Sequence, residues 1–166
     1  LILKNKWDAM TTMSTMNKKL IDLYPYRLHK SQPEFLLFRR AKGKIYEGQW
    51  RMVGGKVKED ETYWEAALRE MKEETGLVPN LFWTIPSVNS FYEHKTDQIH
   101  QIPAFAAELK PDAQILLNQE HTEYTWAEIE NAKSFIRWPE QKRLLQLTHN
   151  IVNSNQILED WLINIS

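Results

Sequence analysis

Runs of apolar and aromatic residues alternate along the chain with segments of helical period. Residues 20–29 and 34–40 are dense in such side chains, and we predict a strand from each. Pro25 lies inside the first strand and has no backbone N–H to donate, which predicts an edge strand or a bulge there. Further segments follow: extended stretches at residues 81–92 and 100–109, a strand start near residue 123, and a helix opening at Trp138 and Pro139.

The clearest helix signal lies between Thr62 and Gly76. Thr62 followed by Glu65 is a capping-box pattern, in which two side chains satisfy backbone groups at the start of a helix. Gly76 suits the left-handed residue that follows a helix end. The apolar residues between them recur at i, i+3, i+4 and i+7: Trp64, Ala67, Leu68 and Met71. We therefore expect one face of this helix to pack and another to face a cleft.

Three acids on the same helix form an arrangement that is unfavourable by itself. Glu70, Glu73 and Glu74 fall within an arc of about 100° at helical spacing, where like charges repel. Glu73 and Glu74 also lie in the last turn, where the helix dipole disfavours anions. Either this is a solvated acidic face, or a divalent cation neutralises it. Oxygen ligands in a chain without cysteine suit Mg²⁺ or Mn²⁺ better than zinc.

The surrounding spacing decides between these readings. Residues 55–77 resemble the Nudix hydrolase box at every specified position, namely Gly55, Glu61, Arg69, Glu70, Glu73, Glu74 and Gly76 with an apolar residue at 71 and at 77. The resemblance implies an α/β/α sandwich with a mixed sheet, in which the box forms a loop, a helix and a second loop.

The resemblance also implies a role for each residue of the box. The implied metal ligands are Glu70, Glu73, Glu74 and the backbone carbonyl of Gly54. Glu70 is alternatively the base that activates water. Arg69 would orient a box glutamate through an ion pair, and Glu61 would be an accessory acid.

Other candidates lie outside the helix. Glu120 precedes a predicted strand about fifty residues beyond the box, where many Nudix enzymes place a further carboxylate that ligates a second metal or deprotonates water. Glu123 is the fallback for this role. Arg51 and Lys56 flank the Gly54–Gly55 turn and are candidates to neutralise phosphates. Trp50 is the aromatic residue that we expect to stack on a flat heterocycle.

The predicted function is Mg²⁺-dependent hydrolysis of a diphosphate linkage in a (deoxy)nucleoside or pterin triphosphate, releasing a monophosphate and pyrophosphate. Scattered positions around the box look like the dihydroneopterin triphosphate and dATP pyrophosphohydrolase branch. Dinucleoside polyphosphates and nucleotide sugars stay open as substrates. A Nudix-fold regulator without catalysis is an alternative of another class. An enzyme of the isopentenyl-diphosphate-isomerase type shares the fold but normally needs a cysteine, and this chain has none.

Composition narrows the classes of partner. The 166 residues carry a net charge of −1, which gives no basic footprint for polymeric nucleic acid or an anionic membrane. We expect a small-molecule phosphate substrate and a cytoplasmic location, and a homodimer stays open. The absence of cysteine excludes disulfides and thiol nucleophiles. We expect residues 1–18 to be a flexible segment and residues 19–166 to form one domain.

Overall fold

A computed structural model describes residues 18–166. Residues 1–17, which carry almost all of the segment predicted to be flexible, lie outside the described part. The strands are β1 (Leu20–His29), β2 (Gln32–Arg40), β3 (Trp50–Arg51), β4 (Val53–Lys56), β5 (Leu81–Glu93), β6 (Gln98–Glu108) and β7 (His121–Glu128). The helices are α1 (Tyr63–Thr75), α2 (Ile129–Phe135) and α3 (Pro139–Asn153), followed by a 3₁₀ turn at Glu159–Trp161.

The seven strands form one mixed sheet that opens near its centre. β1 pairs in parallel with β6 and antiparallel with β2, and β7 runs antiparallel along the other edge of β2. β1 and β2 stay paired only from Tyr26 and Phe35 outward to their common turn. Beyond that point β3 bonds to β2 and β4 bonds to β1. Residues 50–56 therefore fill the gap where the two central strands separate.

The prediction of an edge or a bulge at Pro25 is wrong, because β1 is a central strand. Leu109 donates its backbone N–H to the carbonyl of Tyr26, so the even-numbered residues of β1 bond toward β6 and Pro25 faces the other edge. On that edge the pairing with β4 ends at Leu23, and the pairing with β2 begins at Tyr26. Pro25 thus occupies the short unpaired stretch where a missing N–H costs nothing.

Helices cover both faces of the sheet, which confirms the predicted α/β/α sandwich. On one face α1 buries Ala66, Ala67 and Met71 against odd-numbered residues of β1. On the other face α3 buries Leu144 and Leu145 in a second core. Helix α2 was missed from the sequence. It has seven residues and no side-chain cap, and packing against α3 and β7 holds it in place.

The residues after α3 return to the sheet. Ile163 donates its backbone N–H to the carbonyl of Phe82, and the rings of Trp83 and Trp161 stack with their centres 6.3 Å apart. This segment covers part of β5 and contributes apolar side chains to both cores. None of the helices within residues 18–166 combines the length and apolar composition needed to cross a bilayer.

Candidate active site

The ends of α1 are fixed by the residues that the sequence indicated. The hydroxyl of Thr62 accepts the backbone N–H of Glu65, and the Glu65 carboxylate accepts the backbone N–H of Thr62. Gly76 follows the last turn with a φ of 76°, and its N–H bonds to the carbonyl of Lys72. The capping box and the left-handed end are both confirmed. They set the rotation of the helix and hence the direction in which its glutamates point.

Gly55 lets the carboxyl group of Glu70 lie directly against the backbone of β4. A Cβ at Gly55 would be 2.5 Å from Cγ of Glu70 and closer still to its carboxyl carbon. A side chain at position 55 would therefore displace the carboxyl group of Glu70 from this position. Glu70 is mostly enclosed, with 14% of its side chain exposed. Burial raises its pKa, while the hydrogen bond from Arg69 opposes that shift.

Arg69 joins the loop of the box to its helix. Its Nε and Nη2 donate to the two carboxylate oxygens of Glu61 at 2.6 and 3.0 Å, and Nη2 also donates to the carbonyl of Lys56. Its Nη1 donates to Glu70 at 2.9 Å and lies 3.4 Å from Glu73. Glu61 in turn accepts the backbone N–H of Lys58. Arg69 and Glu61 therefore hold the loop rather than face the cleft.

The ion pair between Arg69 and Glu61 shifts the pKa of Glu61. The hydrogen bond from Arg69 is the largest cause that lowers the pKa of Glu61 to about 2. Because this pKa lies below that of the unfolded chain, the pair stabilises the fold above about pH 4.5. That stability is lost as the pH falls toward 2.

We expect Arg69→Lys to lower kcat by about 10- to 100-fold, because a lysine cannot form the two-bonded contact that positions the loop and Glu70. Glu61→Gln should have a smaller effect in the same direction. It should also remove the part of the acid-dependent loss of stability between pH 4.5 and 2 that Glu61 contributes. Steady-state kinetics and thermal melts across that pH range measure both effects. Unchanged kcat in Arg69→Lys would show that the ion pair has no part in the site.

A second group of contacts brings Glu74, Glu70 and Glu120 together. Glu74 is 2% exposed, and its Oε2 has no hydrogen-bond partner. Burial raises its pKa well above the usual value, and the negative charges of Glu70 and Glu120 raise it further. Glu120, the residue just before β7, is held in place by its backbone, since its carbonyl oxygen accepts the N–H of Ala41 at 2.8 Å. Carboxyl groups from a helix and a loop thus face one another, and we call these three residues the carboxyl cluster.

The carboxyl cluster suits a hard divalent cation in its chemistry. All of its donors are oxygens, and a buried carboxylate oxygen without a partner is a costly group that a cation would stabilise. Among residues 18–166, however, no three histidine, cysteine, aspartate or glutamate side chains are close enough to hold an ion without adjustment. Cation binding would therefore require side chains of the carboxyl cluster to move closer together.

Comparison with known proteins identifies the family. The sequence model of the NUDIX domain matches residues 26–148, which is most of the chain and includes both the helix with its loops and the carboxyl cluster. The chain belongs to the Nudix hydrolase family. Divalent metal ions are a general requirement of Nudix hydrolases, although the match does not name the metal.

Individual Nudix relatives differ in substrate and in length. Nudix hydrolase 6 of Arabidopsis thaliana is 29% identical over 87% of this chain, and the chain spans about half (51%) of that relative. A mouse bis(5'-nucleosyl)-tetraphosphatase (asymmetrical) is 30% identical over 77% of this chain and 86% of its own length. The crystal structure of a C. elegans Ap4A hydrolase binary complex superposes with a TM-score of 0.70 at 23% identity, covering 83% of this chain and 99% of that one.

The remaining predicted residues of the Nudix site differ in their exposure and in their contacts. Glu73 is half exposed and turned toward Arg69. The side chain of Lys56 is exposed, although its carbonyl accepts a bond from Arg69. The ring of Trp50 packs against Phe135, with centres 5.2 Å apart, and against the core. Gly54 lies beside Asp22 on β1.

Arg51 and Glu123 also have neighbours that the sequence did not show. The guanidinium carbon of Arg51 lies 4.3 Å from the centre of the Tyr46 ring, and its Nη1 is buried without a partner. Glu123, the fallback to Glu120, pairs with Arg39 at 3.1 Å on the exposed side of β7. The geometry thus groups Glu120, and not Glu123, with the carboxyl cluster.

Sequence reasoning missed two residues beside the carboxyl cluster. Arg40 donates to Glu120 at 3.3 Å and lowers the pKa of Glu74 in opposition to burial. The ring of His121 packs at a tilt against that of Phe38 with centres 5.0 Å apart, and burial lowers the pKa of His121 to about 4, so it is neutral at pH 7. Arg40 followed a strand and was one of several arginines with no distinguishing signal. Only the register between β2 and β7 brings it to Glu120.

Proposed function

We propose that this protein hydrolyses a diphosphate linkage in a (deoxy)nucleoside or pterin triphosphate with Mg²⁺ or Mn²⁺, releasing a monophosphate and pyrophosphate. The observation that carries the proposal is the buried, unpartnered carboxylate oxygen of Glu74 beside Glu70 and Glu120. A chain that needed this region only for stability would gain by neutralising it.

The residues of the carboxyl cluster would divide the work. Glu70 and Glu74 would hold the cation, with Glu73 and the carbonyl of Gly54 as further candidate ligands. A bound Mg²⁺ would supply positive charge to the phosphate oxygens and lower the pKa of a water molecule at the site. Glu120, with 41% of its side chain exposed, would accept a proton from that water. Arg40 would orient Glu120 through its hydrogen bond, and Arg69 would hold Glu70 against β4.

Dinucleoside polyphosphates are a second candidate class of substrate. Support comes from the mouse tetraphosphatase, which is similar over most of both chains. The same carboxyl cluster would serve both classes, because each substrate presents a phosphoanhydride with several ionised oxygens. The dihydroneopterin triphosphate and dATP branch stays a prediction from scattered sequence positions.

A substrate panel tests the proposal. Purified protein should release phosphate or pyrophosphate from at least one nucleoside triphosphate, dihydroneopterin triphosphate or diadenosine tetraphosphate in Mg²⁺ or Mn²⁺, and EDTA should abolish release. Separation of the products by ion-exchange chromatography identifies the bond that is cleaved. No release from any compound would contradict hydrolysis. In that case, tight binding of one of these compounds, with an affinity that Glu74→Gln does not change, would favour the alternative of a Nudix-fold regulator without catalysis.

A further inference from the structure

Buried polar side chains from three distant parts of the chain meet on the face of the sheet opposite α1. Asp22 on β1, Asn89 on β5 and Gln141 on α3 are 7%, 5% and 4% exposed. The amide of Asn89 donates to the Asp22 carboxylate at 2.9 Å, and the amide of Gln141 lies 3.4 Å from the same oxygen. Both amides therefore turn their nitrogen to Asp22 and their oxygen away from it. We call these three residues the polar cluster.

Several groups at the polar cluster lack partners. Oδ1 of Asn89 and Oε1 of Gln141 are buried and accept no hydrogen bond, and Nη1 of Arg51 is buried and donates none. Burial raises the pKa of Asp22, and the charge of Arg51 is among the influences that oppose this, so Arg51 lies within electrostatic range. Native proteins leave few buried polar atoms unsatisfied. Two free acceptors and one free donor in one neighbourhood indicate the polar edge of a ligand.

Exposed aromatic rings lie beside these groups. Tyr46 and Trp138 are 40% and 41% exposed, and their rings meet edge to face with centres 6.0 Å apart. The guanidinium of Arg51 stacks on Tyr46 and so joins the rings to the polar cluster. Aromatic faces next to a few convergent polar groups are typical of sites that bind planar heterocycles.

The polar cluster is adjacent to the carboxyl cluster through β4. Asp22 pairs with Gly54, and a Cβ on Gly54 would point toward the Asp22 carboxylate at 3.9 Å. The next residue, Gly55, faces Glu70 on the other side of the sheet. The backbone of β4 at these two glycines therefore lies between the polar cluster and the carboxyl cluster.

We propose that Asn89, Gln141 and Arg51 form a subsite for the edge of a guanine or reduced pterin ring that carries the amino group, the ring N–H and the carbonyl, an inference that rests on the proposed function. The two amide oxygens accept from the ring N–H and the exocyclic amino group, and Nη1 of Arg51 donates to the ring carbonyl. Adenine has no carbonyl for Arg51, and hypoxanthine has no amino group for the second amide.

The kinetic test compares rings that differ by one group. Wild-type kcat/KM should be at least about tenfold higher for GTP than for ITP, because ITP leaves one buried acceptor unpaired. ATP should be poorer again. Gln141→Met or Asn89→Leu should bring the ratio of GTP to ITP close to one. Gln146→Met, on the same helix but bonded to Lys133 and Asn150, should leave the ratio unchanged. A higher kcat/KM for dihydroneopterin triphosphate than for GTP would assign the subsite to pterins.

A binding measurement separates this inference from the proposed function. Quenching of tryptophan fluorescence by GDP, IDP and ADP in EDTA reports ring recognition without turnover. Preference for GDP over IDP supports the subsite even if no hydrolysis is found. Hydrolysis without discrimination among GTP, ITP and ATP overturns the subsite and leaves the proposed function intact. Should either variant melt below the assay temperature, the wild-type ratios alone decide, and equal values contradict the inference.

Discussion

Glu74→Gln should lower kcat by two to three orders of magnitude or more, an effect on the order of removing a group that stabilises transition-state charge. The same substitution should raise Tm in metal-free buffer at neutral pH. Glutamine keeps the size of Glu74 and removes a charge that burial, Glu70 and Glu120 all disfavour. For a chain of this length each kcal/mol relieved corresponds to about 2–4 °C in Tm. A substitution that lowers activity and raises stability is characteristic of a charged residue that is kept for function.

The gain in stability should depend on pH in a defined direction. The pKa of Glu74 in the folded state lies above the value of 4.5 expected when unfolded. The stability contributed by the protonated group is fully present below pH 4.5 and is lost as the pH rises through the folded pKa. Wild type and Glu74→Gln should therefore melt at similar temperatures in acid and diverge toward neutral pH.

A matched control is available on α2. Glu130 is exposed and pairs with Lys133 at 3.0 Å, and it is not among the groups that shift the pKa of Glu70 or Glu74. Glu130→Gln should leave kcat unchanged and show no pH-dependent gain in Tm. If Glu74→Gln behaves like Glu130→Gln in both assays, Glu74 has no special charge environment.

Gly55→Ala should produce the second large effect, a loss of activity comparable to that of Glu74→Gln together with a loss of about 1–3 kcal/mol of stability. The added methyl group would overlap Glu70 and push its carboxyl away from β4. At Gly54 a Cβ would lie 3.4 Å from the carbonyl of Ile21, which is an ordinary contact, so Gly54→Ala should cost much less stability.

A double substitution tests whether Gly55→Ala destabilises the protein through its overlap with Glu70. Shortening Glu70 in Gly55→Ala/Glu70→Ala removes the overlapping atoms, so the double variant should be more stable than Gly55→Ala alone and equally inactive. Urea unfolding and steady-state kinetics measure the two properties. Additive losses of stability would mean that the alanine acts on the strand itself and not through Glu70.

The helix of the box could be predicted from the sequence because its determinants are local. Thr62, Glu65 and Gly76 act on backbone within a few residues, and both ends of α1 fall where they indicate. The spacing of Glu70 and Glu74 also placed them on one face. That face was expected to be open, yet Glu74 is almost fully buried and lies within interaction range of Arg40 on β2 and Glu120 before β7.

The features that could not be predicted from the sequence depend on contacts between residues that are distant along the chain. Pro25 fits a central strand because the pairing partner of β1 changes from β4 to β2 beside it. The sequence near residue 25 does not show where either pairing stops. The polar cluster joins residues 67 and 119 positions apart, so each of its members looked like an isolated polar residue. The contact of the partly exposed Trp138 with Tyr46 likewise joins residues that are distant in the sequence.

The most direct measurement of the central claim is Mn²⁺ binding at pH 7.5, followed by the electron paramagnetic resonance signal of free Mn²⁺. The claim is that Glu70 and Glu74 are kept close together beside Glu120 because they bind a divalent cation. Wild type and Glu130→Gln should bind with equal affinity, and Glu74→Gln should bind at least about tenfold more weakly. Equal affinity in all three proteins, or no saturable binding by wild type, would contradict the claim.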